Sequence, residues 1–296
     1  MTTFNNIEES PTGKIGRKKS DVTILGVPFD LASTNHSGQR NAPYRIRDAG
    51  FWDEGMYTTQ HGVDPLQALE VVDAGDVEII PGDTLGGWQA IQDAAAQIYA
   101  NTRCLISIGG DHSITAKLLA GIVSIERDPV TVFHFDAHWD YWQHDAGVEM
   151  NHGTWVRYVI DNGLANRVVQ FGVRGWGVPK TDAAWAVKND ITTYHASSRW
   201  MDSLVAEIKD TSDPIYLSID VDVLDPAFAP GVAYQEPGGW TTRELFGAIK
   251  AVAGSGKMIG ADVVEVIPDR DPTGQTVKVA NRCVAQLLTS IAATRK

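Results

Sequence analysis

TVFHFDAHWDYW, residues 131–142, begins as a run of β-branched and aromatic residues and ends in three side chains of metal-ligand type, Asp136, His138 and Asp140. With Val130 included, the apolar part reads as a buried strand over 130–138. Residues two apart on an extended chain point to one face, roughly 6–7 Å from one to the next, so the spacing predicts that these three side chains line up on one side. Two carboxylates that close repel unless a cation lies between them. The stretch therefore predicts a strand that runs into a metal site.

Apolar runs of strand length recur at 21–29, 69–77, 103–110, 167–175, 191–196, 215–223 and 257–266. Between them lie amphipathic stretches of helix length near 41–49, 86–101, 113–126, 153–163, 199–210, 241–253 and 276–293. Near-continuous apolar strands separated by helices predict an α/β domain with a mostly parallel sheet covered on both faces. The expected organisation is one domain over 21–296 behind a flexible polar tail, 1–20, which holds no apolar run able to act as a signal peptide. In open sheets of this kind the ligand lies beyond the carboxyl ends of the strands. Strand 103–110 runs into GGDHS with Asp111 and His112, strand 215–223 carries Asp220 and Asp222, and strand 257–266 ends with Glu265, so all of these are expected on one edge.

The charge balance points the same way. Lys plus Arg number 25 against 37 Asp plus Glu, a net charge of −12, which disfavours nucleic acid and anionic membrane surfaces and tolerates a cationic substrate. Cys104 and Cys283 are the only cysteines, both in apolar surroundings, and read as reduced core residues. No stretch is long enough to span a bilayer, so the expected compartment is the cytoplasm.

His112, Asp136, His138, Asp140, Asp220 and Asp222 are four carboxylates and two imidazoles. Two divalent ions would balance four carboxylates where one would not. An oxygen-rich set without thiolates suits manganese first and nickel second, and argues against structural zinc. Two-metal sites deprotonate water near neutral pH, which points to hydrolysis. His134 shares the strand but lies earlier in it, and is expected to be a buried, hydrogen-bonded histidine. His36, His61, His144 and His195 read as ordinary polar residues of loops and strand ends.

GGDHS, FDAHWD, HGT at 152–154, SIDVDVLDPAFAPG, PGGWTTREL and DVVEVIP resemble, in this order, the motifs of the ureohydrolases, the family of arginase, agmatinase, guanidinobutyrase and proclavaminate amidinohydrolase. GVPFD at 26–30 and GQRNAPYRIR at 38–47 are similar to its N-terminal signature, and the resemblance runs from about residue 23 to the C-terminus. It implies a three-layer α/β/α fold with an eight-stranded parallel sheet, two divalent metals, usually manganese, a homotrimer or homohexamer, and hydrolysis of a guanidino group to urea and an amine. Carried over by position, one metal would be held by His112, Asp136, Asp140 and Asp220 and the other by Asp136, His138, Asp220 and Asp222, with Asp136 and Asp220 bridging. Glu265 would pair with the guanidinium, Asp140 would pass a proton to the departing nitrogen, and His152 would shuttle protons.

The loops that read the substrate depart from the family. A usual GTGTPxPGG loop is here GVAYQEPGG at 231–239, placing Tyr234 and Gln235 where a threonine and a proline are common. Trp139 stands where a small residue is usual and Trp240 replaces a leucine. Trp142, Trp155 and Trp176 also adjoin motif segments; for Trp155 and Trp176 core filling and pocket lining both stay open. An aromatic pocket formed by Trp139, Tyr234 and Gln235 suits an agmatine-like, short or alkylated guanidine better than arginine. The alternative substrate is a biguanide of the metformin hydrolase type. Two competing readings are a zinc deacetylase, which shares the fold but needs a His-His pair that is absent here, and a non-catalytic partner subunit working beside a paralogous chain.

Overall fold

The computed structural model describes residues 7–9, 19–50, 57–145, 147–148, 150–196 and 199–295. Its strands are β1 (Glu8–Glu9), β2 (Ser20–Gly26), β3 (Val71–Asp76), β4 (Thr102–Ile108), β5 (Thr131–Phe135), β6 (Arg167–Val173), β7 (Thr192–His195), β8 (Ile215–Asp220) and β9 (Met258–Val264). All neighbouring strands pair in parallel, in the order β1-β3-β2-β4-β9-β8-β5-β6-β7. Eight strands fall where the sequence predicts them. The ninth comes from the expected tail, where Glu8 and Glu9 pair with Val72 and Asp73 at the sheet edge and Ile7 is buried. The rest of that tail, 1–6 and 10–18, lies outside the described residues.

The helices are α1 (Ala42–Asp48), α2 (Pro65–Ala68), α3 (Thr84–Tyr99), α4 (Ile114–Val123), α5 (Trp155–Asp161), α6 (Lys180–Lys188), α7 (Trp200–Asp210), α8 (Thr242–Ala253) and α9 (Gln275–Ala293). Strand alternation divides the core in two. Cys104, Ile106 and Ile108 of β4 pack with α1, α7, α8 and α9, whereas Leu105 points to the other face, against α3, α4 and α5. This is the three-layer α/β/α arrangement. Burial pushes the thiols of Cys104 and Cys283 up to about 12, as suits inert core residues. Helix starts are capped locally: Thr241 and Glu244 form a reciprocal capping box on α8, and Asp83 accepts from the Gly86 N–H on α3. No helix among the described residues is long and apolar enough to cross a membrane.

One ion pair ties the N-terminal signature to the sheet. Arg47 of α1 is buried, donates from Nε and Nη2 to the two oxygens of Asp73 at 2.9 and 2.8 Å, and reaches Asp76 at 2.6 Å. Removing one partner of so buried a pair costs about 3–5 kcal/mol, because the other charge is left uncompensated.

Candidate active site

The strands that carry the polar residues are spatial neighbours, although they are not consecutive in sequence. β4, β9, β8 and β5 lie side by side, so His112, Glu265, Asp220 and the 136–140 segment meet at their carboxyl ends. The GGDHS turn that delivers His112 needs its glycines. Gly109 and Gly110 have φ of 83° and 89°, and a Cβ on Gly109 would sit 2.5 Å from Pro43.

The convergence of Asp136, His138 and Asp140 is real, but it does not arise from strand alternation. β5 ends at Phe135, the His138 N–H turns back onto Asp136 Oδ1 at 2.5 Å, and Asp140 has φ of 51°. Glu265 has φ of 64°, so two of the four non-glycine residues with positive φ among the described residues belong to this site. Such conformations are costly and persist only where surrounding contacts impose them. Trp155 supplies one: its Nε1–H donates to Asp140 Oδ2 at 2.9 Å, and its buried ring packs against His112 and His134.

His112 Nδ1 faces three carboxylate oxygens, from Asp136 at 3.0 Å, Asp140 at 3.1 Å and Asp220 at 3.2 Å, and none completes a hydrogen bond to it. Behind the ring, Asp262 accepts from the Ser218 hydroxyl at 2.7 Å, and that hydroxyl oxygen lies 2.8 Å from His112 Nε2. A hydroxyl committed to Asp262 can only accept from the imidazole, which puts the proton on Nε2 and a lone pair on Nδ1. With Nδ1 deprotonated, four lone-pair donors converge on one point, and such a donor set fits a cation. A second group adjoins it: His138 Nδ1 lies 3.3 Å from Asp136 Oδ1 and 3.0 Å from Asp222 Oδ2. Asp136 thus offers one oxygen to each group. Asp220 offers one oxygen to the first, while its Oδ1 accepts from the Asp222 N–H at 2.8 Å.

The charge states agree. Burial, with Asp222 and Asp136 alongside, holds the Asp220 carboxyl well above the usual carboxylate range. Burial opposes charge on His112, but Asp136, Asp140 and Asp220 outweigh it and hold the ring well above its ordinary value. Asp136 is also buried, yet the histidines at 134, 112 and 138 keep it well below. Without metal, protons occupy positions that cations fit. His134 is buried with both ring nitrogens engaged, by Asp136 Oδ2 at 2.8 Å and by the Gln170 amide at 3.0 Å.

Beside the cluster, Glu265 is almost fully buried and accepts from Gln39 Nε2 at 2.7 Å, from the His112 N–H at 2.9 Å and from His152 Nδ1 at 3.1 Å. Burial raises its pKa, but the His152 charge and these hydrogen bonds bring it below the usual value. Burial lowers His152, and Glu265 more than reverses this, pushing it up to about 9. Against that, the Thr34 N–H points at His152 Nε2 at 3.1 Å and needs its lone pair, so taking a second proton there costs this bond. Gln39, Ser218 and Asp262 carry no signal in the sequence that marks them as site residues, because their role depends on partners far away in the chain. Asp111 serves the loop instead, accepting from the Ala32 and Ser113 N–H groups.

The cluster opens into a cavity of about 290 Å³ whose lining includes His112, His138, Asp140, His152, Asp220, Asp222 and Glu265, and also Thr34, Trp142, Asp145 and Tyr234. Tyr234 stands over the site, its ring 5.8 Å from those of His138 and His152. Trp139 and Gln235 do not join it, which corrects the expected aromatic wall. Trp139 packs into the core edge-on to His195, and the Gln235 amide turns away to donate to Pro230 O at 2.6 Å. Trp240 is buried and stacks on Trp200 with centroids 3.8 Å apart, whereas Trp176 is fully exposed.

This geometry has relatives. Residues 20–289 match the model of the arginase family. An agmatinase of Chromobacterium violaceum is 34% identical over 277 residues, covering 90% of this chain and 83% of that one. A guanidinobutyrase of Pseudomonas aeruginosa is 33% identical over 275 residues, covering 90% and 85%. Among solved structures, the proclavaminate amidinohydrolase of Streptomyces clavuligerus superposes with a TM-score of 0.89 at 30% identity, covering 99% of this chain and 98% of that one. Sequence and fold agree: the chain belongs to the arginase family of amidinohydrolases.

Proposed function

We propose that this chain hydrolyses a guanidino C–N bond of a small cationic substrate to urea and an amine, using two divalent ions, manganese first and nickel second. The observation that carries the reading is a single cavity in which a donor set fit for two cations faces the buried Glu265–His152 pair. His112, Asp136, Asp140 and Asp220 would hold one ion and Asp136, His138, Asp220 and Asp222 the other. Bound there, the ions supply Lewis acidity and a water acidic enough to attack near neutral pH. Glu265 pairs with the guanidinium, whose own pKa exceeds about 12, and fixes its plane. Asp140, oriented by Trp155, delivers a proton to the departing nitrogen, and His152 exchanges protons at Nε2 as Thr34 yields. Tyr234 and Trp142 supply aromatic faces for an agmatine-like or short alkylated tail; the alternative is a biguanide. The working assembly is a homotrimer or homohexamer of cytoplasmic chains, and a paralogous subunit is the alternative partner.

Urea release by purified chain, loaded with manganese or separately with nickel, against a panel of guanidino compounds tests the reading. Turnover of one compound supports it, fastest turnover of arginine would refute the pocket argument, and silence with two ions bound per chain would point to the partner-subunit reading.

Two further outcomes follow from the geometry. Trp155→Phe keeps the ring on His112 and His134 but deletes the donor to Asp140, and is expected to lower kcat about tenfold while metal stoichiometry stays at the wild-type level. A loss below about twofold would make that bond idle. Because burial and neighbouring carboxylates raise Asp220, and Asp136, Asp140 and Asp220 raise His112, metal binding competes with protons for these groups. Manganese affinity measured by calorimetry should therefore rise with pH. A flat profile would show that these groups are already deprotonated.

A further inference from the structure

The function proposed above leaves the charge of the substrate's tail open, and the relatives do not settle it: agmatine ends in an ammonium and guanidinobutyrate in a carboxylate, yet the enzymes named for them are about equally similar to this chain. The cavity bears on the question. Among the described residues its lining contains no lysine or arginine. The nearby guanidinium of Arg174 is spent on main-chain carbonyls, donating to Asp222 O at 2.8 Å, Leu224 O at 3.0 Å and Glu236 O at 2.6 Å. Once four aspartates are assigned to metal and Glu265 to the guanidinium, one carboxylate in the lining has no role, that of Asp145.

Asp145 is half-buried, and its position is fixed by its neighbours. The side-chain amide of buried Asn151 donates to its Oδ2 at 3.0 Å and to its main-chain oxygen at 3.2 Å. Asn151 is itself held, its Oδ1 accepting from the Gly153 N–H at 2.8 Å and its N–H donating to Thr154 Oγ1 at 2.8 Å. The Trp142 N–H closes the loop onto Gly153 O at 3.3 Å, so Trp142 and Asp145 face one cavity from one braced turn. An anion and two aromatic faces, those of Trp142 and Tyr234, with no lysine or arginine in the lining to pair a carboxylate, form a receptor for a positive charge. A carboxylate in their place would meet Asp145 unpaired.

We propose that Asp145 is the residue that sets tail charge, selecting a guanidinoalkyl compound with a second, ammonium cation over one that ends in a carboxylate. The inference rests on the guanidino-hydrolase reading, and the test separates the two. Three compounds with tails of similar length, 4-guanidinobutylamine, butylguanidine and 4-guanidinobutyrate, are compared on the metal-loaded oligomer by urea release and, independently, by calorimetric binding. The expected order of kcat/KM and of affinity is ammonium over neutral over carboxylate, with about three- to tenfold at the first step. Asp145→Asn, which keeps an acceptor for Asn151, should bring the ammonium-to-neutral ratio close to one. Asp145→Lys should place the carboxylate tail ahead of the ammonium tail. Wild-type preference for the carboxylate tail, or an ammonium-to-neutral ratio unchanged in Asp145→Asn, would overturn the proposal. Urea release absent for all three, with the binding order and its dependence on Asp145 intact, would sink the hydrolytic reading and uphold the charge selection.

Discussion

Asp220→Asn is expected to cut urea release by at least about a thousandfold, the scale of several kcal/mol of lost metal assistance, while leaving the metal-free protein as stable as the wild type or more so. The two halves of this result have one cause. Asp220 lies among Asp136 and Asp222 in a buried site, and its carboxyl is held well above the usual range by burial and by those two charges. An acid whose folded pKa is raised costs the fold stability as pH rises from the unfolded value through the folded one. At neutral pH and above, wild type without metal bears that cost and asparagine does not. The amide oxygen can still accept from the Asp222 N–H, so the turn is kept. With excess manganese the order reverses, because wild type gains binding free energy that the variant cannot match. Thermal melts of both proteins, with chelator and with manganese, check it. A metal-induced rise in Tm equal in the two proteins would show that Asp220 is not a ligand.

Glu265→Gln is the second large effect, with an opposite signature for the metals. The glutamine is nearly isosteric and can accept from the His112 N–H, but it carries no charge to meet a guanidinium. Truncating one side of a buried charged pair costs about 2–5 kcal/mol, so kcat/KM should fall between about thirtyfold and a few thousandfold. Metal stoichiometry should stay at the wild-type level, since no oxygen of Glu265 lies in either donor group. The change also removes the anion that pushes His152 up to about 9, so the alkaline limb of the residual pH profile should move to lower pH. Loss of metal from this variant would mean that Glu265 supports the cluster rather than the substrate.

Much of this architecture is legible in the sequence because its signals are local. The eight predicted strands and seven predicted helices occur near the expected positions, as each has its own periodicity and punctuation. The two helices that were missed show the limit. α2 is a single turn, and α6, KTDAAWAVK, buries only Asp182 and Ala186, so it carries no apolar stripe to read. The candidate donor residues are also legible, since all six stand in three short motifs, GGDHS, FDAHWD and SIDVDV. Their convergence has another origin than the pleat: alternation stops at Phe135, and the turn at Asp140 brings the side chains together.

Local residue order by itself determined the parallel α/β class, the family and the candidate donor residues, because period, composition and motif spacing are properties of adjacent residues. Tertiary structure alone decided that β9 and β8 lie between β4 and β5, bringing the four strand ends together. It also decided that Gln39 reaches Glu265 across 226 residues, and that Trp142 and Asp145 face the cavity while Trp139 and Gln235 turn from it. A side chain's direction is set by the φ and ψ of its own residue and by the groups that meet it, and at this site those groups come from the ends of strands that the chain order keeps apart.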